Sequence, residues 1–329
     1  MVTDMQVIEI SRPGGPDVLT PAQRERPTPG AGEVRIRVRA AGVNRPDLMQ
    51  RAGKYPPPPG ASDLPGLEVA GEIDALGDNV SQWQLGDAVC ALCNGGGYAQ
   101  YVCVPAGQCL PKPAPLDWAQ AAALPETYFT VWSNLFMRAQ LASGQSLLVH
   151  GGASGIGTTA LTLARSFGVK TFATAGSQTT LDGCRQLGAQ AINYRDQDFV
   201  QVIDQATQGR GVDVVLDMIG GDYFARNLKV LAPEGWLVQI ATQHGREVTL
   251  DLMTMMQKRL RLSGSTLRPQ SAQAKAVIAD QLRHQVWPRL DAGEFAPLIH
   301  ARVPFEQASQ AHRLLENGGH IGKIVLELA

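Results

Sequence analysis

No apolar run in the 329 residues approaches the eighteen or so positions that a membrane-spanning helix requires. Charge imbalance is also missing. Lys and Arg number 29 against 30 Asp and Glu, a net charge of −1, which argues against a nucleic-acid or membrane-surface partner held by charge. Cysteine is sparse: five residues, an odd number without a dense framework, so a disulfide scaffold is not expected and a reducing cytoplasm is. Met1 to Ile10 carries acidic residues and no uninterrupted apolar core, so no secretory signal is expected there. The histidines (His150, His244, His284, His300, His312 and His320) are scattered, and no pair has metal-ligand spacing. No Ser-His-Asp or paired-carboxylate arrangement stands out. Repeats and low-complexity segments are likewise missing, apart from the stiff Pro56–Pro59 run.

What is present centres on Ser146-Leu147-Leu148-Val149-His150-Gly151-Gly152-Ala153-Ser154-Gly155-Ile156-Gly157. A short apolar β run meets spaced glycines, and Ala160, Leu163, Ala164 and Phe167 then recur at i, i+3, i+4 and i+7, which predicts a helix with one buried face. Strand, glycine turn and helix in this order form a pyrophosphate cradle, because bare backbone permits close approach and the helix N-terminus offers free N–H groups. Gly152-x-x-Gly155-x-Gly157 is a relative of GxGxxG rather than the strict form, and an ordinary strand-to-helix turn would also need glycine. The alternating strand-like and helix-like segments that follow favour the cradle. Gly152, Ser154, Gly155, Ile156 and Gly157 are its candidate contacts.

Residues 1–124 read as mostly β. Glu33 to Ala40 alternates charged and apolar with period two, predicting a half-buried strand with a solvated basic face. Glycine and proline then punctuate the chain at short intervals, suggesting a compact, partly closed barrel. Cys90-x-x-Cys93 has zinc-like local spacing, with Cys103 and Cys109 further on. Cys103 falls inside the strand-like Tyr101–Val104, however, and the remaining spacings lack a knuckle, so buried thiols are expected rather than a metal.

Three stretches carry a family resemblance: Ala41-Gly42-Val43-Asn44-Arg45-Pro46-Asp47-Leu48, Gly53-Lys54-Tyr55-Pro56 and Pro65-Gly66-Leu67-Glu68-Val69-Ala70-Gly71. They resemble the medium-chain dehydrogenase/reductase superfamily. In its zinc alcohol dehydrogenases a cysteine stands near the place of Asn44, and a Gly-His-Glu tripeptide supplies another ligand. Here the tripeptide is Gly66-Leu67-Glu68, and leucine cannot bind zinc. Asn44 to Arg51, Gly60-Ala61-Ser62, Gly95-Gly96-Gly97, Ala173 to Ser177 and Gly322 to Leu326 resemble the zinc-free, zeta-crystallin-like quinone oxidoreductases. Among these the chain is most similar to the subgroup that contains the tumour-suppressor-induced quinone oxidoreductase. The resemblance spans essentially the whole chain. It implies an α/β protein with a Rossmann-type doubly wound parallel sheet beside a mostly β, GroES-like catalytic domain, with the active site in a cleft between the two.

The expected divisions are 1–124 for the first part of the catalytic domain, 125–266 for the NADP-binding domain and 267–329 for a return segment. Strands are expected at Leu147–His150, Thr171–Ala175, Ala191–Asn193, Val212–Met218, Trp236–Ile240 and Arg259–Ser263. Ser177 stands where an NAD site usually places an acid, so a 2′-phosphate meets no carboxylate there. The resemblance adds Gly176 and Tyr194 to the phosphate pocket, and a lysine that is Thr180 here. Losing that cation weakens the contact unless Arg195, Arg185 or Lys323 reaches in. On the same basis Thr130 lies near the nicotinamide, while Asn44 and Tyr55 flank nicotinamide and acceptor. Asn44 can hydrogen-bond a quinone oxygen, and the Tyr55 hydroxyl can relay a proton or stabilise negative charge. A packing or turn role is the alternative for each.

In the return segment a helix over Ala272–Trp287 is expected to stop at Pro288. Another is expected from Pro304 to Leu315, ended by Gly318-Gly319, before a strand over Ile321–Leu328. The function expected is NADPH-dependent reduction of a quinone, by hydride or stepwise electrons, in a homodimer without metal, nucleic acid or membrane. Reduction of α,β-unsaturated ketones or enoyl thioesters is the alternative within enzymes. An NADPH-binding structural or sensor protein with little turnover is the alternative outside them, and a zinc alcohol dehydrogenase is the remotest reading.

Overall fold

The computed structural model describes residues 4–328, so the first three residues of the Met1–Ile10 stretch lie outside the described residues. Two units are present: Met1–Phe129 with Leu267–Ala329, and Thr130–Thr266. The first crossing falls within the helix Pro125–Val131, not ahead of it at 124/125.

In the larger unit β1 (Asp4–Ile10) and β2 (Leu19–Glu25) pair as an antiparallel ribbon. The long β3 (Glu33–Val43) turns Val34, Ile36 and Val38 into the core, as its alternation requires. Helix α1 (Arg45–Arg51) follows, then β4 (Glu68–Leu76), β5 (Ala88–Leu92), β6 (Tyr101–Pro105), β7 (Cys109–Pro111) and a short α2 (Trp118–Ala122) capped by Asp117. The arginines of β3, exposed at Arg37 and half-buried at Arg35 and Arg39, are also paired. Antiparallel β4 sets carboxylates on the same face, so Arg35 grips Asp74 with two bonds of 2.8 and 3.0 Å while Arg37 and Arg39 converge on Glu72.

Helix α3 (Pro125–Val131) runs into a π-helical turn, Trp132–Arg138. Strands and helices then alternate: β8 (Ser146–His150), α4 (Gly155–Ser166), β9 (Lys170–Ala175), α5 (Gln178–Gln186), β10 (Gln190–Asn193), α6 (Phe199–Ala206), β11 (Val212–Asp217), α7 (Tyr223–Val230), β12 (Leu231–Gln239), α8 (Leu252–Lys258) and β13 (Arg261–Gly264). The six strands are all parallel in the order β10-β9-β8-β11-β12-β13, the doubly wound arrangement. Leu148, Phe172, Ile192 and Val215 are buried in one cluster with Phe199 and Ile203 of α6, which explains the continuous apolar runs of these strands. His150 lies beneath the sheet's end as a structural residue. Its Nε2 meets Asn227 Oδ1 at 2.7 Å and its Nδ1 meets Thr174 Oγ1 at 3.1 Å, while Asn227 Nδ2 donates to Asp217 at 3.0 Å.

The return segment contributes α9 (Ala272–Gln285), α10 (Trp287–Asp291), β14 (Ile299–Pro304), α11 (Ala308–Asn317) and β15 (Lys323–Glu327) to the larger unit. Pro288 does not stop the chain. It lies in the first turn of α10, where a missing N–H costs nothing. Strand β15 is inserted parallel to β14 and antiparallel to β3, completing a sheet of order β14-β15-β3-β4-β5-β7 with β6 paired to β3. Because β7 and β14 are not paired among the described residues, this sheet stays open, in keeping with the partly closed barrel expected. Ile36, Val69, Ile73, Val89, Ile324 and Leu326 share its core, each such side chain contributing about 1.5–3 kcal/mol by burial.

Candidate active site

In the smaller unit the turn from β8 into α4 has no room for a side chain at Gly152 or Gly157. A Cβ on Gly152 would stand 2.6 Å from Ala173 Cβ, and one on Gly157 would strike the carbonyl oxygens of Gly151 and Gly152. Ser154 is the N-cap of α4, its Oγ accepting the Gly157 N–H at 3.0 Å. That hydroxyl therefore serves the helix. Gly155 and Ile156 open the first turn, where N–H groups have no preceding carbonyl to bond. A bare turn leading into a twelve-residue helix suits a dinucleotide pyrophosphate.

The corner after β9 has a second bare position. A Cβ on Gly176 would lie 2.6 Å from Tyr194 Cζ, so the Tyr194 ring covers this glycine, and it does so while 46% exposed rather than packed into the sheet. Ser177 caps α5, and Thr180 answers it: Ser177 N–H donates to Thr180 Oγ1 at 3.1 Å, and Thr180 N–H donates to Ser177 Oγ at 3.3 Å. Thr180 is thus a reciprocal cap as well as the missing cation. Arg185 is spent on Asp182 at 2.6 Å. Arg195 is exposed and only its backbone is engaged, by Asn193 Oδ1 at 3.1 Å, leaving its guanidinium unpaired among the described residues. Thr130 is buried, its carbonyl accepting from Asn134 Nδ2 at 2.8 Å and Ser133 Oγ at 3.3 Å where the helix widens into its π turn.

In the larger unit a buried polar cluster gathers around Asn44. Its Nδ2 donates to Glu68 Oε1 at 2.9 Å and its Oδ1 accepts from Lys323 Nζ. These opposed partners fix the amide orientation and leave one N–H of Nδ2 unused. Lys323 also reaches Val43 O at 3.2 Å and Glu68 Oε1 at 2.7 Å. With its donors so engaged, it is not a spare cation for a 2′-phosphate. Glu68 Oε2 accepts the Glu126 N–H at 2.8 Å, and Gly42 makes room for the carboxylate, since a Cβ there would lie 2.6 Å from Glu68 Cδ. Asp47 accepts the N–H groups of Gly66 and Asn44 at 2.9 and 2.8 Å, yet burial pushes its carboxyl up to about 6. Burial raises the Glu126 carboxyl to about 7, with Lys323 opposing and Glu68 and Asp47 adding to the rise. Tyr55 is half-buried, and its ring centroid lies 5.5 Å from the guanidinium carbon of Arg268. Sequence reasoning missed Asp47, which caps the helix three residues after Asn44, and Glu126 and Arg268, which no local spacing joins to Asn44.

Zinc does not suit this cluster. Asn44 presents an amide, Leu67 a hydrocarbon, and Glu68 is already bound by an ammonium. The thiols of Cys90, Cys93 and Cys109 are free and buried, and burial raises all three, which disfavours the thiolate a metal needs.

A family model described as an alcohol dehydrogenase GroES-like domain matches residues 30–114, and one described as a zinc-binding dehydrogenase matches residues 187–326. A quinone oxidoreductase of Rattus norvegicus is 31% identical over 328 residues, 98% of both chains. The JamJ enoyl reductase in its apo form superposes with a TM-score of 0.88 at 28% identity, covering 99% of this chain and 100% of that one. A mycobacterial protein complexed with NADPH superposes with a TM-score of 0.88 at 26% identity, covering 98% and 100%.

Fold, cradle and relatives together define an oxidoreductase of medium-chain dehydrogenase/reductase architecture that takes a nicotinamide cofactor and a small-molecule substrate. The chain belongs to the zinc-free quinone oxidoreductase family of that superfamily. Among the described residues no helix is long and apolar enough to cross a membrane.

Proposed function

We propose that this enzyme reduces quinones with NADPH and without a metal. The observation that carries the cofactor choice is the corner where Tyr194 covers Gly176: Gly176 to Thr180 include no acidic residue, and Arg195 beside Tyr194 has an unpaired guanidinium among the described residues. A dinucleotide held there by its 2′-phosphate and along Gly152–Gly157 by its pyrophosphate would supply hydride from its nicotinamide. The protein's own part is placement and proton handling. Asn44, locked by Glu68 and Lys323, offers its remaining N–H to an acceptor oxygen, and Tyr55 offers its hydroxyl proton. Quinone as the acceptor is supported by full-length similarity to quinone oxidoreductases. Enoyl reductase neighbours of TM-score 0.87 and 0.88 favour conjugated thioesters or ketones as the second reading.

The assembly proposed is a homodimer through the free edge of β13, beside which Leu252, Met253, Met256 and Leu262 are exposed. A cytoplasmic setting suits five free thiols. The deciding experiment follows oxidation of NADPH and NADH at the nicotinamide absorbance, with 1,2-naphthoquinone and a 2-alkenal as parallel acceptors. Faster NADPH oxidation with the quinone is expected. Turnover with the alkenal alone moves the function to enone reduction, and tight NADPH binding without turnover moves it to a structural or sensing role.

A further inference from the structure

Arg268 is only 6% exposed, yet no carboxylate lies within ion-pairing distance of it among the described residues. Its Nε and Nη2 fork onto a single carbonyl oxygen, Asn94 O, at 2.9 and 2.7 Å, and its Nη1 is buried with no partner. Such an unmet charged donor costs about 1–3 kcal/mol or more, so its retention calls for a use. A second cation deepens the imbalance. Lys275 of α9, fully buried, donates to Asn94 Oδ1 and to Arg268 O, the latter at 2.8 Å. Burial, aided by the Arg268 charge, brings its ammonium down to about 8. Among the described residues the carboxylate whose field acts on Arg268 is Asp47, and it is tied to the Gly66 and Asn44 N–H groups.

What Arg268 does meet is Tyr55. At 5.5 Å from ring centroid to guanidinium carbon, the pair is within cation–π range. The same positive charge opposes the burial that otherwise holds the Tyr55 proton on, while Glu126 acts with burial.

We propose that Arg268 is a positioning residue for Tyr55, seating its ring and stabilising the phenolate left when Tyr55 protonates the reduced acceptor. This rests on the reading of Tyr55 as proton donor. In the step, the hydride that a bound nicotinamide would supply leaves the acceptor as the hydroquinone monoanion. The Tyr55 O–H bond then breaks, an O–H bond forms on the acceptor oxygen, and the electron pair stays on the phenolate. Solvent returns the proton once the hydroquinone leaves.

The test compares Arg268→Met and Arg268→Lys in the parent and in a Tyr55→Phe background, with 3-fluorotyrosine at position 55 titrated by fluorine NMR in the cofactor-free protein. Arg268→Met is expected to lower kcat on the order of 10- to 100-fold with the KM for NADPH changed by no more than about two-fold. Arg268→Lys should restore most of it, and Arg268→Met should add nothing once Tyr55 is Phe. The fluorophenol titration should rise by about one pH unit in Arg268→Met and return in Arg268→Lys. Arg268→Gln, which keeps a donor toward Asn94 O, replaces the methionine variant should that fail to fold. Full turnover by Tyr55→Phe overturns the donor reading and the proposal with it. A normal loss in Tyr55→Phe with an unmoved fluorine titration, or an Arg268→Met loss that persists in that background, overturns the role of Arg268 alone.

Discussion

Lys323 Nζ and Glu68 Oε1 are 2.7 Å apart, with side chains only 4% and 0% exposed. A pair so deeply desolvated has little net worth against an apolar substitute, but either half alone is a severe burden. Lys323→Met is therefore expected to destabilise the protein by about 3–5 kcal/mol, and Lys323→Met with Glu68→Gln to recover much of that. Urea unfolding of the three proteins is the check. Equal losses in the single and double variants would show that the pair is not the source.

Asp47 and Glu126 make stability depend on pH with a definite sign. Burial holds both carboxyls above their ordinary range, so their contribution is complete below the unfolded values of about 4 and is lost as pH rises through about 6 and about 7. Thermal midpoints should fall across that window, and Glu126→Gln should flatten the upper half of the fall. Asp47→Asn should act differently. It replaces one of two accepting oxygens with a donor facing an N–H, at a cost of about 1–3 kcal/mol at any pH.

Arg195 is expected to discriminate between the two nicotinamide cofactors. Arg195→Ala should weaken NADPH binding by about five- to ten-fold and leave NADH within two-fold, a loss of about 1 kcal/mol or somewhat more. Calorimetric Kd values for both cofactors are the measurement. Equal weakening would place the 2′-phosphate elsewhere. Thr180→Lys should gain NADPH affinity while losing about 1 kcal/mol of helix stability, because the reciprocal cap with Ser177 is broken.

At the β13 edge, Met253→Glu with Met256→Glu should convert dimer to monomer in sedimentation velocity while leaving circular dichroism unchanged, since both side chains are exposed in the single chain. A parent already monomeric at micromolar concentration would remove the proposed assembly.

Much of the fold could be read from the sequence because its signals are local. The apolar runs of β8, β9 and β11 and the alternation of β3 each lie within a few residues, and the spaced glycines of the cradle declare a tight turn. The partners of the β3 arginines were hidden because Glu72 and Asp74 belong to another strand. Pro288 misled because a helix stop and a helix start can share the same residue. Asn44 and Tyr55 could be picked out only through their family resemblance. Arg268, Glu126 and the anchoring of Lys323 depend on contacts between segments up to 280 residues apart, which no periodicity encodes.

Strand β15 lies in the interior of its sheet, between β14 and β3, although β3 precedes it by most of the chain. On the ribosome, the contiguous Thr130–Thr266 unit can fold as soon as it emerges, while the larger unit waits with β3 unpaired on that side. Until Ile324 to Glu327 arrive to cover Val43 to Ala40, that strand presents an open template to any extended neighbour. Lys323 comes with the same segment, so the carboxylate of Glu68 receives its counter-ion in the act that closes the sheet. Nascent chains stalled shortly before this strand should therefore be the species most dependent on chaperones.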